Sequence, residues 1–345
     1  MTTTRYHRQT LLPQIGPAGQ TQLGTSRALL IGAGALGSVM AEQLARAGLG
    51  FLRLVDRDIV EWTNLQRQVL FAESDAQKAI AKAEAAARRL GEINSSVEVE
   101  PIAADVWAGN IEELAAGCDL ILDGTDNVQT RYLINDASVK TGIPWIHGAC
   151  VAAEGRMMAI IPGKTACLRC VYPTPPAAAE LPTCDTAGVL APAAAIVASL
   201  QVVAAIKILT GQYGALRHEL IAIDAWSPRF RPVPLAGAKR EDCPCCGRRQ
   251  FELLKTSAAE SAVSLCGRNA VQIRPAAQWQ AAQFDAASSR LQSCGDFEQG
   301  KFFARCRLSD PRGLTLTLFR DGRLMVDGTT DHGRAKSICS RFIGT

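Results

Sequence analysis

With 345 residues, 48% hydrophobic and 20% charged, the chain has material for two globular domains and is too apolar to be disordered over most of its length. The formal net charge of +4 comes without any block of Lys and Arg interleaved with aromatics, so nothing supports a surface that tracks nucleic acid. Residues 1–20 hold Arg5, His7, Arg8 and two prolines but no apolar export core; the twelve cysteines are therefore expected in the reducing cytoplasm, as metal ligands, catalytic thiols or small buried hydrophobes.

In chain order, residues 27–31 are a short apolar run ending in glycines, 38–47 are helix-like, and 51–55 are a second apolar run ending in Asp56, together a βαβ unit. Residues 76–90, rich in Ala, Lys, Glu and Arg, predict one helix. A strand at 97–102, a short helix at 110–116, a buried strand at 120–122 and a helix at 127–140 follow. This alternation predicts a Rossmann-like, mixed but mostly parallel α/β sheet with helices on both faces. Strands are expected at 144–150 and, antiparallel, at 157–161. Residues 172–188 turn rich in Pro, Ala and Thr and predict an extended loop bearing Cys184. Residues 187–210 approach the length of a membrane span, but Gly188, Pro192, Ser199 and Gln201 interrupt them, so a buried helix and no membrane association are expected. A strand at 219–223 and a cysteine cluster closing at Gly247 complete a first domain, 1–249. Residues 250–345 read as a small α+β domain, with strands at 271–274, 302–308, 314–320 and 323–326, an Asp321-Gly322 hairpin turn and a final helix at 332–342.

Gly32-Ala33-Gly34-Ala35-Leu36-Gly37 follows a strand and opens a helix, which brings backbone N–H groups and a helix N-terminus against a phosphate. Asp56, at the end of the next strand, is suited to the hydroxyls of an adenosine ribose. This much would serve NAD. Asn64, Arg67 and Lys82 come soon afterwards, however, and cations there suit a triphosphate undergoing attack. Lys78 and Lys82 read equally well as solvated helix charges. Asp123-Gly124-Thr125-Asp126-Asn127 follows a buried strand at the carboxyl edge of the sheet; Asp126 is a candidate Mg²⁺ ligand, and Asp123 is a candidate cap for the next helix.

Cys167-x-x-Cys170 and Cys243-x-x-Cys246 have the spacing of two zinc knuckles, and four thiolates make a closed tetrahedral site without a position for water. Cys245 is the odd thiol. Cys118, Cys150, Cys266, Cys294, Cys306 and Cys339 are expected to be buried hydrophobes. Cys184, on its loop, reads evenly as nucleophile or bystander, and His147 is expected to be a satisfied core residue.

The ordered set Arg5-Tyr6-His7-Arg8-Gln9, Gly32-x-Gly34-x-x-Gly37, Asp56-Arg57-Asp58, Asn64-Leu65-Gln66-Arg67-Gln68, Asp123-Gly124-Thr125-Asp126-Asn127 and the split cysteine pairs resembles the ThiF/MoeB/HesA family, bacterial relatives of the ubiquitin-activating enzyme. The resemblance spans about residues 5–247. It implies an adenylyltransferase that uses ATP and Mg²⁺ on the C-terminal glycine carboxylate of a small ubiquitin-like sulfur carrier ending in Gly-Gly. A sulfur donor, a cysteine desulfurase or rhodanese-type protein, then makes the thiocarboxylate used in thiamin or molybdopterin synthesis. Matching motif positions makes Asp56 the ribose ligand, Asn64 and Arg67 phosphate contacts, Lys82 the phosphate lysine and Asp126 the Mg²⁺ aspartate, with Asp58 and Asn127 also in the nucleotide site. Arg8 resembles the arginine that family homodimers donate to the partner's site. The run from Asp75 to Lys82 is about two residues longer than the family spacing, which keeps Lys78 as a rival. Cys184 matches the crossover-loop cysteine that ThiF-type members link to the carrier. A NAD-dependent oxidoreductase, a non-catalytic partner subunit and an adenylating enzyme for modified tRNA are the competing readings.

Overall fold

The computed structural model describes residues 5–175, 184–255, 261–264, 269–275, 279–300 and 302–343. Two compact units divide the chain, residues 1–256 and 257–345.

The first unit is built on an eight-stranded sheet: β1 (Arg27–Ile31), β2 (Phe51–Val55), β3 (Glu98–Ile102), β4 (Leu120–Asp123), β5 (Trp145–Val151), β6 (Glu154–Ile160), β7 (Glu219–Asp224) and β8 (Arg229–Pro234). The spatial order is β3-β2-β1-β4-β5-β6-β7-β8. Strands β1 to β5 are parallel; β6, β7 and β8 continue the sheet as an antiparallel meander. Because successive strand residues face opposite ways, Leu30 packs under helices Ala35–Ala47, Lys82–Ile93 and Ala191–Leu209, while Leu29 and Ile31 pack under Ile111–Ala115 and Val128–Thr141. The sequence order of strands reverses between β1 and β4, where open α/β sheets bind ligands beyond their carboxyl ends.

Ala191–Leu209 is long and apolar enough to cross a membrane, yet 56% of its most apolar window is buried. Small side chains explain why it sits in this core: Val197 meets Gly155 on β6, and Gln201 crowds Gly148 on β5 so closely that a Cβ there would lie 2.4 Å from its amide. Gln201 Nε2 donates to the carbonyls of Asp123 and Ile146, tying the helix to the strand end that carries the site.

Two local expectations fail. The single helix at 76–90 is broken into Glu73–Gln77 and Lys82–Ile93. Ala79 adopts φ 44°, Ile59 bridges to Ala81, and Lys82 N–H donates to the Asp58 carbonyl, so the chain is pinned to the loop after β2 just where helix pairing would otherwise continue. Strand β8 was hidden by Pro232 and Pro234, which are tolerated only because it is an edge.

The second unit holds a six-stranded antiparallel sheet of β9 (Ser261–Ser264), β10 (Ala270–Arg274), β11 (Gly295–Gln299), β12 (Phe303–Leu308), β13 (Thr315–Phe319) and β14 (Leu324–Asp327), in the order β11-β12-β13-β14-β10-β9. Helices Ala281–Gln292 and His332–Phe342 cover one face around Phe284, Leu291, Leu316, Val326 and Ile338. Sequence patterning missed β9, β11 and the helix Ala281–Gln292. Cys306 and Cys339 are buried as expected, as are Cys118 and Cys150, but Cys294 is half-exposed, its thiol donating to the Arg290 carbonyl. Cys266 lies outside the described residues.

Candidate nucleotide site and cysteine cluster

Three glycines make the turn between β1 and its helix. Gly32 has φ 90°, and a Cβ on it would lie 2.7 Å from the Gly124 carbonyl oxygen. A Cβ on Gly37 would stand 1.8 Å from the Gly32 carbonyl oxygen, so the helix can close on the turn only with glycine there. Gly34 precedes the helix as its cap, and Gln68 Nε2 lies 4.0 Å from where its Cβ would be. Gln68 is buried with its Oε1 lacking a hydrogen bond among the described residues, an acceptor left over beside a turn shaped for a nucleotide.

Asp56 ends β2 and locks this turn: Oδ2 accepts from Ala33 N–H at 2.6 Å and Oδ1 from Asp58 N–H at 2.7 Å. Burial pushes its carboxyl up, with Lys82 partly opposing. Lys82 opens its helix, is 4% exposed, and places Nζ 3.2 Å from Asp58 Oδ2. Lys78 ends the preceding short helix and is exposed beside Asp75 and Arg88, in a separate surface cavity of about 370 Å³. The break at Ala79 thus divides the two rival lysines, and only Lys82 stands beside Asp56 and Asp58.

Asn64 is buried, its Oδ1 accepting from Glu61 N–H at 3.0 Å to close a capping box on Trp62–Asn64. Arg67 is half-exposed, with Nη1 donating to the Thr63 carbonyl at 2.7 Å. Asp126 is exposed at the carboxyl edge, and its charge acts on Arg57. Burial works against the Arg57 cation, but Asp105, Asp58 and Asp126 outweigh it. Arg57 and Asp105, 3.6 Å apart, were not singled out in the sequence. The signal was present: Arg57 sits between two motif aspartates, and Asp105 lies just past the carboxyl end of β3.

Asp123 is not a helix cap. Asn127 caps Val128–Thr141, its Oδ1 accepting from Thr130 N–H at 3.1 Å. Asp123 instead braces the Asp126 loop from below: Oδ1 accepts from Thr125 N–H and Oγ1, and Oδ2 meets His147 Nδ1 at 3.0 Å and Arg131 Nε at 3.3 Å. His147 is accordingly a satisfied core residue. Burial opposes the Asp123 charge, yet Arg131 and His147 prevail and hold its carboxyl below the usual range, while burial lowers His147. The depressed Asp123 contributes stability that is present above the ordinary carboxylate pKa of about 3.9 and lost as pH falls through its folded value. The depressed His147 resists protonation in the folded state, so stability also declines as pH drops below about 6.5. Urea midpoints should therefore fall from pH 6.5 to pH 5, and His147→Gln should flatten that interval.

Four thiols meet where Cys167, at the start of Leu168–Val171, faces the loop 243–246. Sγ separations are 3.8 Å for Cys167–Cys170, 3.6 Å for Cys167–Cys243 and 3.3 Å for Cys170–Cys246, and all four sulfurs lie within 4.8 Å of one another. A tetrahedral zinc with bonds of about 2.3 Å separates its sulfurs by about 3.8 Å, so the cluster fits Zn²⁺. Without a cation, its hydrogen bond with Cys167 and burial push Cys170 up to about 12, and burial and Cys170 do the same to Cys246. A central dication would reverse that balance and hold thiolates. Cys245 is not one of the four; its thiol lies beside Cys167, and its Sγ accepts from Asn135 Nδ2 at 3.2 Å, while Asn135 Oδ1 accepts from Leu168 N–H.

Arg8 lies far from this edge. Its short helix, His7–Thr10, is anchored at the other end of the sheet: the Tyr6 ring packs on Gly48, Asn94 Nδ2 donates to Tyr6 Oη, and Gln9 Nε2 donates to the Ala47 carbonyl. Ala35–Ala47 runs from the glycine turn to Gly48, 13 residues or about 20 Å. Arg8, exposed there, is beyond reach of its own chain's glycine turn. Cys184 begins a short helix, Cys184–Ala187, but its side chain lies outside the described residues.

A glycine turn at the switch point, a ribose-competent aspartate, cations beside it and a four-cysteine base define a nucleotide-binding α/β protein of Rossmann-like class. The chain belongs to the ThiF family, whose model matches residues 6–245. It is 44% identical over 343 residues to the sulfur carrier protein ThiS adenylyltransferase of Bacillus subtilis, covering 99% of this chain and all of that one. The SAMP-activating enzyme E1 of Haloferax volcanii is 40% identical over 243 residues, 70% of this chain and 88% of that protein. The sulfur carrier protein adenylyltransferase of Thermus thermophilus is 38% identical over 248 residues, 70% and 90% respectively. The match to the B. subtilis protein therefore extends through the second unit. A crystal structure of Escherichia coli MccB with ATP shares the fold, with a TM-score of 0.62 at 23% identity over 71% of this chain and 75% of that one.

Proposed function

We propose that this chain adenylates the C-terminal glycine carboxylate of a small ubiquitin-like sulfur carrier protein in the cytoplasm, consuming ATP with Mg²⁺ and releasing pyrophosphate. The observation that carries this reading is 44% identity along essentially the whole chain to a ThiS adenylyltransferase. The glycine turn and Asp56 receive the nucleotide, with Asn64, Asp58 and Asn127 lining its site. Arg67 and Lys82 take the phosphates, and exposed Asp126 is the carboxylate for Mg²⁺, which prefers one or two carboxylates plus phosphate oxygens and water. The first unit, residues 1–256, carries this chemistry, and 257–345 form an accessory domain.

A carrier carboxylate oxygen attacks the α-phosphorus, the bond to the bridging oxygen breaks, and pyrophosphate departs with its electrons. Both reactants arrive charged, so no general base is needed; positioning and charge neutralisation supply the catalysis. A homodimer would deliver Arg8 in trans, a reading supported by its distance from its own chain's glycine turn. The carbonyl carbon of the adenylate is then attacked by a sulfur nucleophile supplied by a cysteine desulfurase or rhodanese-type donor, and AMP departs with the electrons of the broken C–O bond; Cys184 is the thiol that links to the carrier.

The decisive assay is ATP–pyrophosphate exchange. It should depend on a Gly-Gly-ended carrier and survive Cys184→Ala; tight NAD binding without exchange would return the chain to the oxidoreductase class.

A further inference from the structure

A turn that holds phosphates and an aspartate that holds a ribose do not distinguish one nucleobase from another. The glycine turn stands at the carboxyl end of β1, and Asp56 stands at that of its neighbour β2. Asp56 N–H donates in turn to the carbonyl of Ile102, the last residue of β3. Phosphate, ribose and base follow one another along a nucleotide. A path from β1 to Asp56 therefore continues toward β3, one strand spacing of about 4.8 Å further out, and carries the base over residues 102–106.

Ile102, Ala103 and Ala104 are half-buried there and offer a purine face an apolar surface. Asp105 follows and is 7% exposed. Its Oδ1 accepts from Val106 N–H at 3.0 Å, and Arg57 Nη1 lies 3.6 Å from the same oxygen. Asn110 pins the backbone on either side, with Nδ2 donating to the Asp105 carbonyl and Oδ1 accepting from Trp107 N–H, each at 2.9 Å. The carboxylate is thus held in place before a nucleotide arrives. Arg57 Nε also lies 3.9 Å from Asp58 Oδ1, so one guanidinium offsets two carboxylates that would otherwise repel a triphosphate. An ionised carboxylate accepts hydrogen bonds and donates none. Facing the 6-position of a purine, it matches the amino group of adenine and opposes a keto oxygen.

We propose that Asp105 selects the nucleobase by accepting a hydrogen bond from the 6-amino group of adenine, with Arg57 as the positioning residue that holds the carboxylate there. This inference rests on the adenylation reading and supplies a reason for its preference for ATP. Its test is pyrophosphate exchange driven by purified B. subtilis ThiS, titrated separately with ATP, with inosine triphosphate and with purine riboside triphosphate, which carries only hydrogen at the 6-position. The wild-type chain should reach half-saturation with ATP at a concentration at least about tenfold lower than with either analogue, because an analogue without the donor leaves a buried acceptor unpaired. Asp105→Asn keeps the shape but adds an amide donor, so it should raise half-saturation for ATP and lower it for inosine triphosphate. Arg57→Met should narrow the preference for ATP over purine riboside triphosphate, and Arg57→Lys should keep most of it. These changes should fall on half-saturation more than on saturating rate. Equal half-saturation of the wild-type chain by ATP and purine riboside triphosphate would overturn base selection by Asp105 and leave adenylation standing. So would an Asp105→Asn protein of unchanged melting temperature that keeps the wild-type preferences, or one that weakens all three nucleotides by the same factor, as a purely structural role would. Failure of the wild-type chain to catalyse exchange with any of the three would instead sink adenylation and base selection together.

Discussion

Asp126→Ala, Arg67→Ala and Lys82→Ala should each lower ATP–pyrophosphate exchange by about 10²–10³-fold, the usual cost of losing one preorganised group that stabilises developing charge. The three should separate by mechanism. Asp126 is exposed and not built into the core, so its variant should fold normally and show a raised Mg²⁺ requirement. Lys82 is buried against Asp58, so its removal strands a carboxylate pair: Asp56, whose charge burial already opposes, loses its largest compensating cation. That variant should melt lower as well as lose activity, and Lys82→Arg should restore melting more fully than exchange, because a planar guanidinium does not reproduce a point charge. Lys78→Ala, on the far side of the Ala79 break, should retain exchange within about twofold; a loss as large as that for Lys82 would transfer the phosphate role to Lys78.

Loss of the four-cysteine metal should have the largest effect on stability. Metal analysis should find about one zinc per chain. Cys170→Ser or Cys243→Ser should reduce that content to near zero and lower the melting temperature by about 10 °C or more, since binding energy at a structural site is folding energy. Cys245→Ser should keep its zinc, because the four sulfurs that converge are those of Cys167, Cys170, Cys243 and Cys246, and Cys245 is hydrogen-bonded to Asn135. A folded, zinc-free wild-type protein that cycles between thiol and disulfide would contradict this.

Much of the fold was legible because the physics was local. Apolar runs at β1, β2 and β4 alternate with helical segments, and two C-x-x-C pairs can be recognised by spacing alone. What escaped depended on partners distant in sequence. Nothing near Ala79 foretells a left-handed residue; the break follows from a bridge to Ile59 and a bond to Asp58. Asp123 reads like a cap until His147 approaches it from the neighbouring strand and Arg131 folds back on it from the following helix. The helix Ala281–Gln292 was obscured by the small and polar residues between its buried positions, Phe284, Ala287, Ser288 and Leu291. At the nucleotide site, motif spacing indicated Asp56, Arg67 and Lys82 as candidates, whereas the Arg57–Asp105 pair required knowing that the carboxyl ends of β2 and β3 lie side by side.

The bridge between Ala152 and Val189 has a kinetic consequence. Ala152 N–H donates to the Gly188 carbonyl and Leu190 N–H to the Ala152 carbonyl, which fastens Val189 to the β5–β6 turn. Only four residues, 185–188, separate that anchor from Cys184, a span of five residue steps. At an extended reach of about 3.4 Å per residue, the Cys184 backbone is confined to within about 17 Å of Val189 in any conformation. On the proposed role of Cys184 as the carrier-linking thiol, a tether this short corresponds to an effective concentration in the millimolar range. Glycine-serine insertions after Thr186 would dilute it, slowing an acyl capture by Cys184 while leaving the preceding nucleotide chemistry unaltered.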